Sequence, residues 1–297
     1  MFRENFTFTT SFSAFAFTIL TTPKLRTWEK EGNFMFMNSF INQYHLDNRY
    51  FDIFKGSDAL DAKRLHVENV IRFVEKLYDK SGVAISKELL LLCAEHHDDG
   101  RVDQYRLLGK FWDSEISHNV LGLERFDKYL LHEDFENPTD ASIQIFRDVM
   151  LYHGRLQLCV SQISYLYIAI ITAADDLENA AACVSYLIRE VETDAKGYRH
   201  DNPDADQTYV SKFVFDHFAS GEKFDKMKYC HTYGEYVLFA ATLMTSCIKK
   251  YNFAREILLQ PGYGYPSILA GYKKVFEATL SSEMAEKAYK VLCEYAS

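Results

Sequence analysis

The stretch LHVENVIRFVEKLYDKSGVAISKELLLLCAEHHDDG, residues 65–100, decides the fold class. Its first half carries apolar residues three and four positions apart, the spacing of one buried helix face: Val67, Val70, Val74 and Leu77. Gly82 follows as a helix stop, and Ser86 is an N-cap for the leucine run that continues to His97 and stops near Gly100. The stretch therefore predicts two helices joined by a short turn.

Helical spacing continues along the rest of the chain. The predicted helices beyond residue 100 are one beginning near Ser114, one bearing Ile143 to Met150, one over Leu158 to Asn179, one around Tyr229 to Lys250, and a pair after PGYGYP (residues 261–266). The chain has only 13 glycines and 5 prolines, about half the average share, which indicates few tight turns. The predicted fold is all-α: a helical bundle with additional C-terminal helices.

Three regions are expected along the chain. Residues 1–36 are rich in Phe and Thr, have no helical period, and form a poorly patterned leader. A start site assigned too far upstream, an export signal and a packed strand or helix are the alternatives for this leader. Residues 37–180 form the first predicted helical domain, which contains a recurring His/Asp pattern. Residues 181–297 form a C-terminal helical extension. We expect it to pack on that domain and to determine which small molecule the protein accepts.

The charge and the cysteine content disfavour several classes of protein. Lys and Arg number 33 against 42 Asp and Glu, so the net charge is −9. This excess of acid argues against a nucleic-acid polymer or an anionic membrane as partner, whereas a small phosphorylated ligand stays compatible. The 6 cysteines include no CxxC pair, which favours buried thiols in a reducing compartment. We expect a cytoplasmic protein without a membrane partner, and leave a homo-oligomer open.

Histidine and aspartate recur about once per predicted helix. The residues are His66, His97 with Asp98, His118, His153 and Asp175, at intervals of 31, 21, 35 and 22 residues. Each interval is about one helix plus one connection, and ligands on separate helices can converge in the core of a bundle. Imidazole and carboxylate groups suit divalent Mn, Fe, Ni, Co or Zn, and a carboxylate can bridge two ions. The pattern predicts a site for one or two divalent transition-metal ions.

Each of these residues alone has a structural explanation. A single histidine in a helix is more often a hydrogen-bonded or surface residue than a ligand. Asp98 could be an exposed charge, although a carboxylate at a helix C-terminus is unfavourable and suggests a nearby cation. Asp175 follows an apolar run and needs a partner if it is buried. The five positions taken together are therefore more informative than any one of them.

The set resembles the HD-domain superfamily of metal-dependent phosphohydrolases. That family has His, then His-Asp, then one or two further His, then Asp. The segments that carry the resemblance are RLHVENV (64–70), LLLLCAEHHDDGR (89–101), SEISHNVLG (114–122), VMLYHGR (149–155) and TAADDLEN (172–179). They extend over roughly 115 of 297 residues. The ending ADDLEN resembles the family's A-D-x-L-x-N, which favours Asp175 over Asp176 as the ligand.

The resemblance implies a ligand set and catalytic groups. By this resemblance a first ion has four ligands: His66, His97, Asp98 and Asp175. A second ion is held by His118 and His153, and Asp98 bridges the two ions. Asp98 is thereby expected to be catalytic. Arg101 stands where the family often has Lys, and there it would bind phosphate oxygens or hold the attacking hydroxide. A helix-end cap is the alternative role for Arg101.

The neighbours of the pattern receive weaker expectations. In a helix, His96 points about 100° away from His97, so it is expected to support a ligand or to lie on the surface. Asp176 is expected to be exposed or to orient a ligand. Asp99 stays ambiguous, and His45 is interpreted as structural or superficial.

The expected function is hydrolysis of a phosphate ester or anhydride. The substrate would be a small phosphorylated molecule, such as a nucleotide, attacked by metal-activated hydroxide. One alternative is an HD-fold diiron oxygenase, because some members with six such ligands activate dioxygen with two irons. A less favoured alternative is a non-catalytic ligand-binding HD domain, which does not need the intact ligand set.

Overall fold

The computed structural model describes residues 38–111, 113, 115–132, 140–154, 160–193, 208–251, 254–255, 259 and 267–297. All regular secondary structure in these ranges is helical, which confirms the all-α prediction. The predicted leader, residues 1–36, and the PGYGYP segment, residues 261–266, lie outside the described residues.

The helices are numbered here in chain order over the described residues. They are α1 (Asn38–Asp47), α2 (Tyr50–Ile53), α3 (Asp58–Ser81), α4 (Lys87–His96), α5 (Asp99–Leu108), α6 (His118–His132), α7 (Ala141–Tyr152), α8 (Gln162–Thr193), α9 (Lys212–Ser220), α10 (Lys226–Tyr229), α11 (Tyr233–Lys250), α12 (Ile268–Thr279) and α13 (Ser282–Ala296).

Helix α4 begins after Ser86, the predicted N-cap, and α3 begins after a second capping serine, Ser57. The Ser57 hydroxyl accepts a hydrogen bond of 3.2 Å from the backbone N–H of Leu60. The Ser86 hydroxyl accepts one of 3.2 Å from the backbone N–H of Leu89. Each bond satisfies a donor that the first helical turn leaves free. After α3 the chain turns through Gly82 at φ +64°, a left-handed conformation that glycine adopts without strain.

Helix α8 lies at the centre of the bundle. Helices α3, α7, α11 and α12 all pack against its 32 residues. The Tyr272 hydroxyl of α12 donates a 2.9 Å hydrogen bond to the backbone oxygen of Ala180. The predicted end at Asn179 is wrong, because Val184 and Leu187 continue the buried face of α8 against the C-terminal helices. Within the described residues, neither α8 nor any other helix combines the length and the apolar character needed to cross a membrane.

A helix that the sequence did not predict follows α4 almost at once. The predicted stop near Gly100 is wrong, since Gly100 lies in the first turn of α5. The next helix, α6, begins at His118 rather than near Ser114. A Cβ added at Gly100 would lie 1.9 Å from the carbonyl oxygen of His118 and 2.5 Å from the backbone nitrogen of Gly122. This glycine therefore allows α5 and α6 to pack backbone to backbone.

The cysteines of the described ranges are free thiols. Cys93, Cys230 and Cys247 are buried, while Cys183 and Cys293 are half-buried. Burial raises the pKa of the Cys230 thiol to about 12. The buried thiols match the structural role that the sequence predicts.

Candidate metal centre

The structure brings all six candidate ligands into one cluster inside the bundle. Their positions are His66 in α3, His97 and Asp98 between α4 and α5, His118 at the start of α6, His153 directly after α7, and Asp175 in α8. All except Asp175 are buried, and Asp175 is half-buried. Five segments of the chain thus each supply one or two polar groups to a single point.

One half of the cluster consists of His66, His97 and Asp175. One donor atom of each lies within 4.8 Å of the other two. The His66 Nε2 atom is 3.1 Å from Asp175 Oδ1. The donor atoms of a tetrahedral site with bonds of about 2.0–2.1 Å lie roughly 3.3–3.4 Å apart. This half therefore has the spacing that a small transition-metal ion requires.

The other half consists of Asp98, His118 and His153. The three donor atoms again lie within 4.8 Å of one another. His118 Nε2 is 3.1 Å from His153 Nε2 and 3.4 Å from Asp98 Oδ1. His153 Nε2 is 3.8 Å from the same Asp98 oxygen.

Asp98 faces both halves, one oxygen toward each. Oδ1 faces His118 and His153, while Oδ2 is 3.5 Å from His66 Nε2 and 3.8 Å from His97 Nε2. A carboxylate with one oxygen toward each of two ligand groups has the arrangement of a bridge between two ions. The cluster could accordingly hold one ion or two.

Asp98 occupies a helix N-terminus as well as a helix C-terminus. It follows α4 and directly precedes α5, at the N-cap position. The expectation of an unfavourable position is wrong, because the positive end of the α5 dipole favours a carboxylate there. Burial raises the pKa of Asp98, but Lys63 and the adjacent His97 outweigh burial and hold that pKa well below its usual value. Asp98 is therefore ionised at neutral pH.

The Nδ1 atoms of the four histidines are held by acceptors outside the cluster. His97 Nδ1 donates to the Ala94 carbonyl (2.6 Å), His118 Nδ1 to Asp113 (2.6 Å) and His153 Nδ1 to the Val149 carbonyl (3.0 Å), while His66 Nδ1 pairs with Glu178. A proton on Nδ1 leaves a lone pair on Nε2, and metal-binding histidines are commonly fixed in this way.

The Nε2 atoms show that the cluster suits a cation. His66 Nε2 and His97 Nε2 are buried and make no hydrogen bond. Burying polar atoms in this way is costly unless a partner satisfies them. His118 Nε2 and His153 Nε2 face each other at 3.1 Å, and Asn119 Nδ2 lies 3.0 Å from His153 Nδ1. A metal ion would satisfy His66 and His97 and could replace the contact between His118 and His153, so the residues fit the group that the sequence predicts.

The pKa values of His66 and His97 depend on burial, which lowers them, and on nearby carboxylates, which raise them. Burial lowers the pKa of His66, but Asp175 and Glu178 outweigh burial and raise it to about 9. Burial lowers the pKa of His97 to about 4, so His97 is neutral at pH 7. The carboxylates around His66 thus favour a positive charge, which either a proton or a metal ion can provide.

A cavity of about 330 Å³ opens beside the cluster. Its charged lining consists of three cations and four carboxylates: Lys63, Arg101, Lys223, Asp98, Asp113, Asp175 and Asp176. Lys63 Nζ donates to Asp98 Oδ2 at 2.7 Å. The Arg101 guanidinium pairs with both oxygens of Asp113, at 3.0 and 2.8 Å, and its Nε lies 3.6 Å from Asp98 Oδ1.

Several neighbours of the predicted pattern are buried. His96, for which the surface was one expectation, is fully buried and donates from Nδ1 to Asp99 Oδ2 at 2.8 Å. Asp176 is also buried, which contradicts the expectation of exposure. Lys223 donates to both oxygens of Asp176, at 2.6 and 2.7 Å. His96 thus contacts the first residue of the next helix, and Asp176 contacts a lysine 47 positions away in the sequence.

The sequence analysis missed the supporting residues Lys63, Asp113, Glu178 and Lys223. Glu178 lies one helical turn after Asp175, so the i, i+3 spacing could have placed it beside the cluster. Lys63 likewise lies one turn before His66 on α3. Asp113 and Lys223 precede helices in loops, and no local spacing connects them with their partners.

The Glu178→Gln variant tests whether the outer hydrogen bonds support metal binding. Glutamine removes the negative charge beside His66 Nδ1, so we expect metal affinity to fall by about 10- to 100-fold. We also expect the pKa of His66, raised by Glu178, to fall below about 9 in an NMR titration of the metal-free protein. Asn69→Ala is the matched control, since Asn69 donates to Glu178 Oε1 at 3.3 Å and accepts from Arg72 but contacts none of the candidate ligands. Equal metal affinity in the two variants would contradict the supporting role of Glu178.

Comparisons with known proteins identify no relative. No family model, no curated protein and no solved structure matches the chain. The all-helical fold and the buried His/Asp groups that could hold a metal ion therefore define the protein on structural grounds alone.

Proposed function

We propose that the protein is a metal-dependent phosphohydrolase of the HD-domain type, acting on a small phosphorylated molecule. The observation that carries the proposal is the placement of Asp98 between two His/Asp groups, with one oxygen toward each. Divalent transition-metal ions bound there would activate water at neutral pH and neutralise phosphoryl oxygens. The order of the ligands in the sequence, which resembles the HD superfamily, supports the same reaction.

The charges of the cavity favour an anionic substrate once metal is bound. The three cations and four carboxylates of the lining have formal charges that sum to −1. Two divalent ions would change this sum to +3, and one ion would change it to +1. A lining that becomes positive only with metal attracts a phosphorylated substrate and makes binding depend on the ions. The volume of about 330 Å³ is that of a small-molecule site, consistent with a single nucleotide or a smaller phosphate ester.

Lys63 is the cation best placed to bind the phosphate. Its ammonium contacts Asp98 Oδ2, the oxygen that faces His66 and His97, so an ion in that half competes with it. We expect Lys63 to leave Oδ2 when the ion binds. Its flexible side chain lines the cavity and then reaches a phosphoryl oxygen as a point charge.

Arg101 is held in a different way. Both terminal nitrogens bind Asp113, and Asp113 also accepts the Nδ1 hydrogen of His118. The guanidinium therefore fixes the carboxylate that orients His118. Its Nε, which makes no hydrogen bond, remains directed toward the Asp98 side of the cavity. In this proposal Arg101 orients His118 and adds positive charge for the transferring phosphoryl group.

Metal content and phosphate release test the proposed reaction together. The protein is purified without chelator, its metals are quantified, and phosphate release is assayed over nucleotides and simple phosphate esters. We expect one or two transition-metal ions at the Asp98 cluster of each chain, and activity that is lost with chelator and restored by Mn²⁺, Co²⁺, Ni²⁺ or Zn²⁺. His231→Ala is the control, since this histidine is exposed and belongs to neither ligand group.

Three outcomes would contradict the proposal in different ways. Two irons with oxygen uptake and no phosphate release would favour the diiron oxygenase. Metal binding without turnover of any phosphorylated compound would favour a ligand-binding domain. Absence of metal binding, with no gain in thermal stability on addition of Mn²⁺, would overturn the site itself.

A further inference from the structure

A second group of potential metal ligands lies between α1 and α4. It consists of His45 of α1 with Glu95 and His96 of α4. Their donor atoms lie within 4.8 Å of one another. None of the three belongs to the cluster described above, because His96 points about 100° away from His97 around the helix axis.

The spacing of these donor atoms is that of a metal site. His45 Nδ1 is 3.3 Å from His96 Nε2 and 3.3 Å from Glu95 Oε1. Ligand atoms in a tetrahedral site with bonds of about 2.0–2.1 Å lie roughly 3.3–3.4 Å apart. Both distances are longer than a good N–H···O or N–H···N hydrogen bond, whose usual length is about 2.9–3.0 Å.

His96 is oriented as metal-binding histidines are. Its Nδ1 donates to Asp99 Oδ2 at 2.8 Å, which directs Nε2 at His45. The Tyr44 hydroxyl donates to the same Asp99 oxygen at 2.8 Å, and Asp99 is fully buried. A carboxylate that fixes the outer nitrogen of a ligand imidazole is the usual support of a metal site. The other oxygen, Asp99 Oδ1, is buried and makes no hydrogen bond.

In the structure the three donor atoms make one His–His contact and one His–carboxylate contact. A divalent ion bound by all three atoms would take the place of both contacts.

We propose that His45, Glu95 and His96 bind one divalent transition-metal ion, with Zn²⁺ as the expected ion. The two imidazoles and one carboxylate form a ligand set that Zn²⁺ favours, with a fourth position for water. The side chains of His45 and Glu95 are 27% and 14% exposed, so solvent reaches this side of the site. The ion would attach α1 to α4 and so to the rest of the bundle. It is independent of the ions that the proposed reaction requires.

The experiment separates this ion from those of the Asp98 cluster. In the full-length His66→Ala/His118→Ala variant each half of that cluster lacks one ligand. We expect this variant to bind about one equivalent of Co²⁺, detected by its visible absorption, and to release it to Zn²⁺. Adding His45→Ala to this variant is expected to abolish the remaining binding, whereas adding His231→Ala, an exposed histidine, leaves it unchanged.

Single variants provide a second readout that does not depend on the double variant folding. His45→Ala and Glu95→Gln are each expected to hold about one zinc ion fewer than wild type at saturating Zn²⁺. Asp99→Asn is expected to weaken binding at this site by about 10- to 100-fold. Zinc content in His45→Ala equal to that of wild type would overturn the proposal, and the three residues would then be a hydrogen-bonded contact between α1 and α4. That result would leave the Asp98 cluster and its proposed reaction unaffected.

Discussion

Asparagine in place of Asp98 is expected to remove metal binding at the Asp98 cluster and phosphate release together. The substitution keeps the shape of the side chain but removes the charge shared by both ligand groups. Asp98 Oδ1 lies 3.4 Å from His118 Nε2, and Oδ2 lies 3.5 Å from His66 Nε2. Bound ions supply several kcal/mol of transition-state stabilisation, which corresponds to a loss of about 10³-fold or more in rate. Metal analysis and phosphate-release assays measure the two losses on one preparation.

Asp176→Asn is the matched control for this prediction. Asp176 is a buried carboxylate of the same cavity, but its two oxygens bind Lys223 rather than the histidines. We expect the Asp176→Asn protein to keep its metal while the Asp98→Asn protein loses it. Equal metal content in the two variants would show that Asp98 is not the shared ligand.

The six candidate ligands that the structure brings together could be predicted from sequence because each occupies a recognisable place on or beside a helix. His97 comes at the end of a leucine-rich helix, His153 directly follows α7, and Asp175 interrupts an apolar run on α8. A helix that buries one face leaves few positions for a polar group, so regular intervals between such positions carry information. The order of the ligands in the chain adds the resemblance to a known family.

The supporting charges could not be predicted from sequence in the same way. Lys223 meets Asp176 across 47 positions, and Asp113 reaches His118 from a loop. These contacts depend on how α8 and the connecting segments are positioned, which local periodicity does not specify. The same holds for His45, which lies 51 positions from His96 and contacts it only because α1 packs on α4.

A glycine that follows an apolar helix did not reliably predict the end of that helix. Gly82 ends α3 in a left-handed conformation, as its position after the apolar stripe predicts. Gly100 follows another apolar helix in the same manner, yet it lies inside the first turn of α5. Nothing lies within 4 Å of a Cβ added at Gly82, whereas the backbone of α6 packs against Gly100. The local sequence does not predict that contact between helices.

Alanine in place of Gly100 is expected to destabilise the fold and to disturb the metal centre at the same time. The new Cβ would lie 1.9 Å from the carbonyl oxygen of His118 and 2.5 Å from the backbone nitrogen of Gly122. Neither atom can move aside without moving α6. Overpacking in a core costs about 1–3 kcal/mol when side chains can adjust, so we expect roughly 3 kcal/mol or more here. Urea denaturation of the metal-free protein measures this loss of stability.

Gly122→Ala separates the effect of packing from the effect of helix propensity. At Gly122 the nearest atom to an added Cβ would be the Gly100 nitrogen at 3.3 Å, a tight contact that a small shift relieves. Alanine gains about 1 kcal/mol over glycine in a helix, which offsets much of that cost, so this variant is expected to stay near wild-type stability. The same gain applies at Gly100 and is too small to compensate there. Because α6 begins at His118, displacement of this helix also moves one ligand away from Asp98. We therefore expect Gly100→Ala, and not Gly122→Ala, to lose metal affinity, and equal stability of the two proteins would contradict the close packing of α5 and α6.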